Sequence, residues 1–265
     1  MYFYHGYALG VASSVAGKKF TQAAAALSVG GGESTGKKST DPLPAGISFD
    51  TANSSIAGWP VTPPKGLPVW ITEGSVVIEN LNIQDKFQAD RIEAHVYGED
   101  WPGGYEGEVV ITGSKFENVR IAGNPVTIDT STDLSIRYPT YDSMQAGFQN
   151  SFSRDEVLGC LVGRDLNAAD ATTWDLRDAY EGYRLQKALT SLKPLVLSSF
   201  VTKVTGTGGF ATWGPIISVP GFGNIYLGEV LVWDWMRCLT MFRIELSSGG
   251  TISGASTGHG GTTFP

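Results

Sequence analysis

The chain is short of the residues that most often announce chemistry. Its 265 residues include three histidines, His5, His95 and His259, and two cysteines, Cys160 and Cys238. No histidine sits in an HExxH pair or beside cysteine at ligand spacing, so no zinc motif is written here. Two cysteines allow one disulfide but imply no disulfide framework, and both lie in apolar stretches that read as sites of buried thiols. Charge is scarce as well. Asp, Glu, Lys and Arg make up 17% of the chain, against about 25% in an ordinary globular domain. The net charge is −7 and the basic residues form no stripe, which argues against a nucleic-acid partner. No run reaches the ~18 apolar residues that a membrane-crossing helix needs. The opening MYFYHGYALGVASSVAGKK has no basic residue ahead of its apolar part and does not read as a secretory leader. The expectation is a soluble protein with no membrane partner, and no motif calls for a cofactor or a metal.

Glycine is what the chain has in excess: 34 of 265 residues, where about 7% is usual. No Gly-x-y period appears, so collagen is excluded. The excess fits many tight turns and close backbone approaches. Hydrophobic residues are 42%, enough for a substantial core.

The patterning is that of short strands. Residues 2–16 open as a strand, and 21–29, TQAAAALSV, read as another despite their alanines. Residues 30–45 read as a loop. Pro60, Pro63, Pro64 and Pro68 confine 50–68 to an edge segment or an extended arm. VWITEGSVVIENLNIQ gives two strand pieces around Glu73-Gly74. ADRIEAHVYG alternates, with Ile92, Ala94 and Val96 on one face and Arg91, Glu93, His95 and Tyr97 on the other. The run from 138 to 195 breaks the pattern. Ser153 and Glu156 make a capping box there, and 167–190 is helix-compatible. Beyond Pro194 the β pattern returns, and NIYLGEVLV and WDWMRCLTMFRIEL read as neighbouring strands turning near Asp234. No βαβ rhythm appears. The fold expected is mainly β: an antiparallel sandwich or barrel, one domain over 1–265, with a short helical or irregular insertion near 150–190, spanning 150–193 at most.

The last stretch, 249–265, reads GGTISGASTGHGGTTFP. It has almost no side-chain mass for a core of its own, and its glycines lose the most entropy on ordering. If ordered, it must lie along a sheet edge or seam, of its own chain or of another copy.

Three stretches mimic known motifs in the wrong context. Gly31-Gly32-Glu33-Ser34-Thr35-Gly36-Lys37-Lys38-Ser39 has phosphate-loop spacing, but lysine holds the magnesium-hydroxyl position and no helix start follows. Gly254-Ala255-Ser256-Thr257-Gly258 matches G-x-S-x-G without its strand and helix flanks. Glu99 and Asp100 stand in an acidic turn that lacks calcium-loop spacing.

Three function classes follow. The first is a non-catalytic structural or self-assembling protein, favoured by low charge, high glycine and the tail. The second is a small-molecule enzyme or binding protein with a pocket inside the β scaffold. Its candidate catalytic residues are His95, Arg91 and Glu93, with Glu229 and Arg243 sharing strand parity with Trp233. The third is a carbohydrate-binding module, with Trp233, Trp235 and Tyr97 as ligand-binding aromatics.

Overall fold

Alternating side chains build two large sheets that pack face to face, with a two-stranded sheet besides. The computed structural model describes residues 2–64, 66–102, 105–131, 143, 196–233 and 236–263. Nineteen strands run through them. In chain order these are β1 Tyr2–Val15, β2 Lys18–Ala26, β3 Gly32–Lys37, β4 Ile47–Ser48, β5 Thr51–Val61, β6 Val69–Ile83, β7 Phe87–Trp101, β8 Tyr105–Val110, β9 Lys115–Glu117 and β10 Arg120–Ile121. They continue with β11 Asn124–Pro125, β12 Thr127–Thr130, β13 Val196–Ser199, β14 Val201–Thr205, β15 Ala211–Trp213, β16 Ile216–Val219, β17 Gly223–Trp233, β18 Met236–Leu246 and β19 Thr251–Thr263.

Sheet A has the order β15-β16-β17-β18-β19-β1-β2, with β13 also on β17. Sheet B has the order β11-β10-β7-β6-β5-β3, with β4 on β6 and β8 and β9 on β7. Neighbouring strands run antiparallel, and β1, β18 and β19 lie against β5, β6 and β7. The fold is a β sandwich, as the alternation implies. Its core is one continuous cluster, and Phe87 of sheet B meets Phe242 of sheet A at 5.2 Å between ring centres.

The tail is not an edge cover. β19 is a central strand, paired with β18 on one side and β1 on the other. Its small residues fit there because both faces are crowded: Ile252 and Gly254 to Gly260 are buried. Two glycines of sheet B make room for its larger side chains. A Cβ on Gly74 would lie 2.1 Å from Thr257 Oγ1, and one on Gly98 would lie 2.0 Å from His259 Cε1. The sheets interlock because these positions have no side chain.

A crease crosses sheet A. The pairing skips one residue in each of five neighbouring strands: Gly228, Met241, Ala255, Gly10 and Ala23. Gly228, Ala255 and Ala23 have φ of 62°, 45° and 51°. Each skip reverses which parity points inward. Val230, Leu239, Thr257, Ala8 and Ala25 form the inward row on one side, and Leu227, Phe242, Gly254, Val11 and Gln22 on the other. Sheet B has the same irregularity where Asn80, φ 54°, separates the Glu79–Arg91 and Leu81–Ala89 pairs.

Several expectations change. Gly32–Lys37 is a strand, not loop; as the outer strand of sheet B its largely exposed polar side chains need no core. Residues 69–83 form one strand, since Gly74 serves the facing sheet and makes no break. The prolines are placed as their chemistry requires. β5 pairs with β3 only as far as Gly58, so Pro60 stands where one edge of β5 is open. TQAAAALSV contributes to β2 as expected. The insertion at 150–193 and Cys160 lie outside the described residues.

Candidate functional site

The polar residues expected to do chemistry stand on two outer faces that point away from each other. On sheet B, Arg91, Glu93, His95 and Tyr97 share the outward parity of β7, opposite buried Ile92, Ala94 and Val96. Arg91 donates from Nη1 to Glu79 Oε1 at 2.9 Å and from Nε and Nη2 to Glu93 Oε2 at 3.2 Å. Lys115 Nζ lies 2.7 Å from Glu117 and 3.7 Å from Glu93. His95 Nδ1 meets the Thr112 carbonyl at 2.9 Å and Nε2 meets Glu73 Oε1 at 2.9 Å. Both ring nitrogens are engaged, so in this arrangement neither is offered to a substrate. Tyr97 donates to Glu99 Oε1 at 2.9 Å.

On sheet A, Glu229 and Arg243 form a bidentate pair, Nε–Oε2 2.7 Å and Nη2–Oε1 2.8 Å. Their side chains are 8% and 13% exposed. Arg243 also binds Glu245, and its guanidinium lies 3.8 Å from the centre of the Tyr226 ring. Tyr226 donates to Glu245 Oε2 at 2.8 Å. In this enclosed group one guanidinium is held between two carboxylates. His95 and Glu229 therefore do not share a site.

The parity shared by Glu229, Trp233 and Arg243 survives because two shifts of register cancel, and only Arg237 departs from it. Trp233 pairs directly with Met236, and the crease at Met241 then puts Arg237 and Arg243 on opposite faces. Trp235 and the Trp233 side chain lie outside the described residues.

The motif mimics resolve in the same way. The phosphate-loop look-alike lies mainly in β3, which is extended. Ser256 of the G-x-S-x-G stretch points outward, 3.0 Å from Thr240 Oγ1 and 3.4 Å from Tyr7 OH, while His259 points inward. Asp100 and Glu99 are adjacent on a strand and so face opposite ways, which rules out joint calcium ligation. Among the described residues no three His, Cys, Asp or Glu side chains come together as a metal site. Cys238 is a free buried thiol, pushed up to about 11 by burial. Among these residues no helix is long and apolar enough to cross a membrane.

Two features at one end of the sandwich were missed. The first is a polar cluster between the sheets. Tyr2 stacks on Trp70 at 4.5 Å, meets Tyr4 edge-on at 4.7 Å, and donates to Asp100 Oδ2. Burial raises the Asp100 carboxyl against the lowering effects of Tyr2 and Arg237. Arg237 is 5% exposed and pairs in register with His259 on β19. His259 is 3% exposed, and burial, then the Arg237 charge, lower it to about 3. Its two ring nitrogens, Tyr4 OH and Thr72 Oγ1 have no hydrogen-bond partner among the described residues. The signal was present in β7: Asp100 is in phase with Ile92, Ala94 and Val96.

The second feature is on the outer surface of that same end. The large hydrophobic side chains exposed among the described residues are Val29 (60%), Trp59 (37%), Val61 (41%), Leu67 (67%) and Trp101 (45%). Register brings them together. Trp59 and Val61 pair with Ile71 and Val69, Leu67 precedes Val69, Trp101 follows Asp100 opposite Trp70, and Val29 accepts from Tyr4 N–H. Trp59 and Trp101 point out from the same face of sheet B, their Cα atoms about 12 Å apart from strand spacing and rise.

Comparison with known proteins gives a family match over residues 3–233, to the model described as Domain of unknown function (DUF8256). No curated protein and no solved structure matches the chain. Because the match spans most of its length, the chain belongs to the DUF8256 family.

Proposed function

We propose that this is a non-catalytic structural protein that associates with further copies of itself through the end bearing Trp59 and Trp101. The carrying observation is the gathering of Val29, Trp59, Val61, Leu67 and Trp101 at one end. Aromatic and aliphatic side chains together have the composition of an interface centre. Strand-to-strand addition is disfavoured at the nearby edge, where Pro60 stands on the open stretch of β5. Association therefore runs through side chains. The tail supports this only indirectly, since it completes its own sheet A. Sedimentation velocity over a hundredfold range of concentration tests it. The mass should rise for the parent protein and stay monomeric for the Trp59→Ser/Trp101→Ser variant. A parent that is monomeric throughout refutes self-association.

One observation favours a second reading, carbohydrate binding. Trp59 and Trp101 flank Glu99, which accepts from Tyr97 at 2.9 Å. Two indole faces beside a carboxylate suit the C–H faces and hydroxyls of a glycan. Tryptophan fluorescence titrated with a polysaccharide panel decides this, and silence across the panel removes it.

A further inference from the structure

We propose that acid unlocks the end of the sandwich that carries the apolar face, with His259 as the residue that takes up the proton. The geometry carries this. His259 sits on a central strand, and its ring lies directly on the Gly98 backbone of the facing sheet. The charged and titratable groups turned toward it are few. β18 presents Arg237, β7 presents Asp100, and β1 presents Tyr2 and Tyr4. β6 presents Trp70 and Thr72, which do not titrate.

A proton on His259 would place a second cation beside Arg237 in the interior. Neither ring nitrogen has an acceptor within reach among the described residues. Among the described side chains the carboxylate on this inner face is that of Asp100, which already accepts from Tyr2. The charged imidazole is therefore satisfied only if β19 and β7 separate and admit water.

The same strand ends hold the outer face. Asp100 points inward between Glu99 and Trp101, and Trp70 points inward beside Ile71. Parting β7 from β19 inside must move Trp101 outside, because adjacent residues share one backbone. Acid thus reaches the apolar end through the strands that bear it. Control of self-association by this route rests on the function proposed above; the opening itself does not.

Hydrogen exchange at pH 7 and pH 5, corrected for intrinsic rates, tests the opening. Because His259 titrates near 6.5 when exposed and near 3 when enclosed, its share of the rise in open population from pH 7 to pH 5 should be about 25-fold. The loss of protection should appear at residues 2–8, 97–101 and 257–263, and not at 222–227 or 242–246. It should vanish in His259→Phe and in His259→Asn, two variants that remove the titration with different side-chain volumes. Unchanged protection of 257–263 in the parent protein, or an equal loss in a folded variant, overturns the proposal. Sedimentation at both pH values separates the two ideas. A monomer at both, with exchange rising as stated, removes self-association and leaves the acid opening in place.

Discussion

Gly98→Ala should be among the most damaging single-methyl changes in the molecule, and the reason is geometric. A Cβ there would lie 2.0 Å from Cε1, 2.1 Å from Nε2 and 2.7 Å from Nδ1 of His259. Ordinary carbon contacts are about 3.5–4.0 Å, so the sheets must part locally by about 1.5 Å or the ring must leave its position. The ring has no easy exit, because His259 is 3% exposed on a strand paired along both sides. Overpacking typically costs about 1–3 kcal/mol, and this overlap belongs at the top of that range. For a domain of this size, about 3 kcal/mol lowers the melting temperature by roughly 6–12 °C. The control is a double-mutant cycle. His259→Ala alone leaves a cavity and should cost about 2–4 kcal/mol. In that background Gly98→Ala should be roughly neutral, since its methyl enters the space vacated by the ring, giving a coupling of about 3 kcal/mol. Urea unfolding of the four proteins measures it. Additivity within about 0.5 kcal/mol would refute the interlock of β7 with β19.

Three further outcomes are expected. Glu229→Gln removes the charge facing Arg243 in an enclosed pair and should cost about 3 kcal/mol, whereas Arg91→Ala, in a pair a third exposed, should cost less than about 1 kcal/mol; equal losses in urea unfolding would show that the Glu229–Arg243 pair is no stronger than the surface ladder. His259 has a folded value depressed from 6.5 to about 3, so its contribution is present above 6.5 and is lost as the pH falls toward 3; between pH 7 and pH 5 the loss is about 2 kcal/mol. Asp100 acts in the opposite sense, since a raised carboxyl favours the fold as it gains its proton, so the test is the difference between parent and His259→Phe in pH-dependent unfolding, and no difference contradicts it. Deleting 249–265 removes a central strand, so circular dichroism should show loss of the fold; a folded truncation of lower mass would instead mean that the tail serves only association.

Local pattern carried the sequence reading a long way. The alternation in ADRIEAHVYG placed Ile92, Ala94 and Val96 inside and His95 outside, as found. It failed where parity itself breaks. Nothing in GEVLVWDWMRCLTMFR announces that pairing skips Gly228 and Met241, so counting alone cannot tell that Arg237 turns inward while Glu229 and Arg243 stay together outside. The tail was misplaced because glycine and threonine look weak alone; their value lies in fitting between two neighbours and against Gly74 and Gly98, which are far off in the chain. The apolar end was illegible for a related reason. Val29, Trp59, Leu67 and Trp101 are scattered in sequence and meet only through the registers of β5, β6 and β7.

The claim that matters most is that this end is a contact surface between copies. Hydrogen exchange at pH 7, compared between dilute and concentrated protein, tests it most directly. Protection should rise with concentration in peptides covering Val29, Trp59 to Leu67 and Trp101, while the outer face of sheet A around Glu229 and Arg243 stays unchanged. No gain at the Trp59–Trp101 end, or a gain at Glu229 and Arg243 instead, would contradict it.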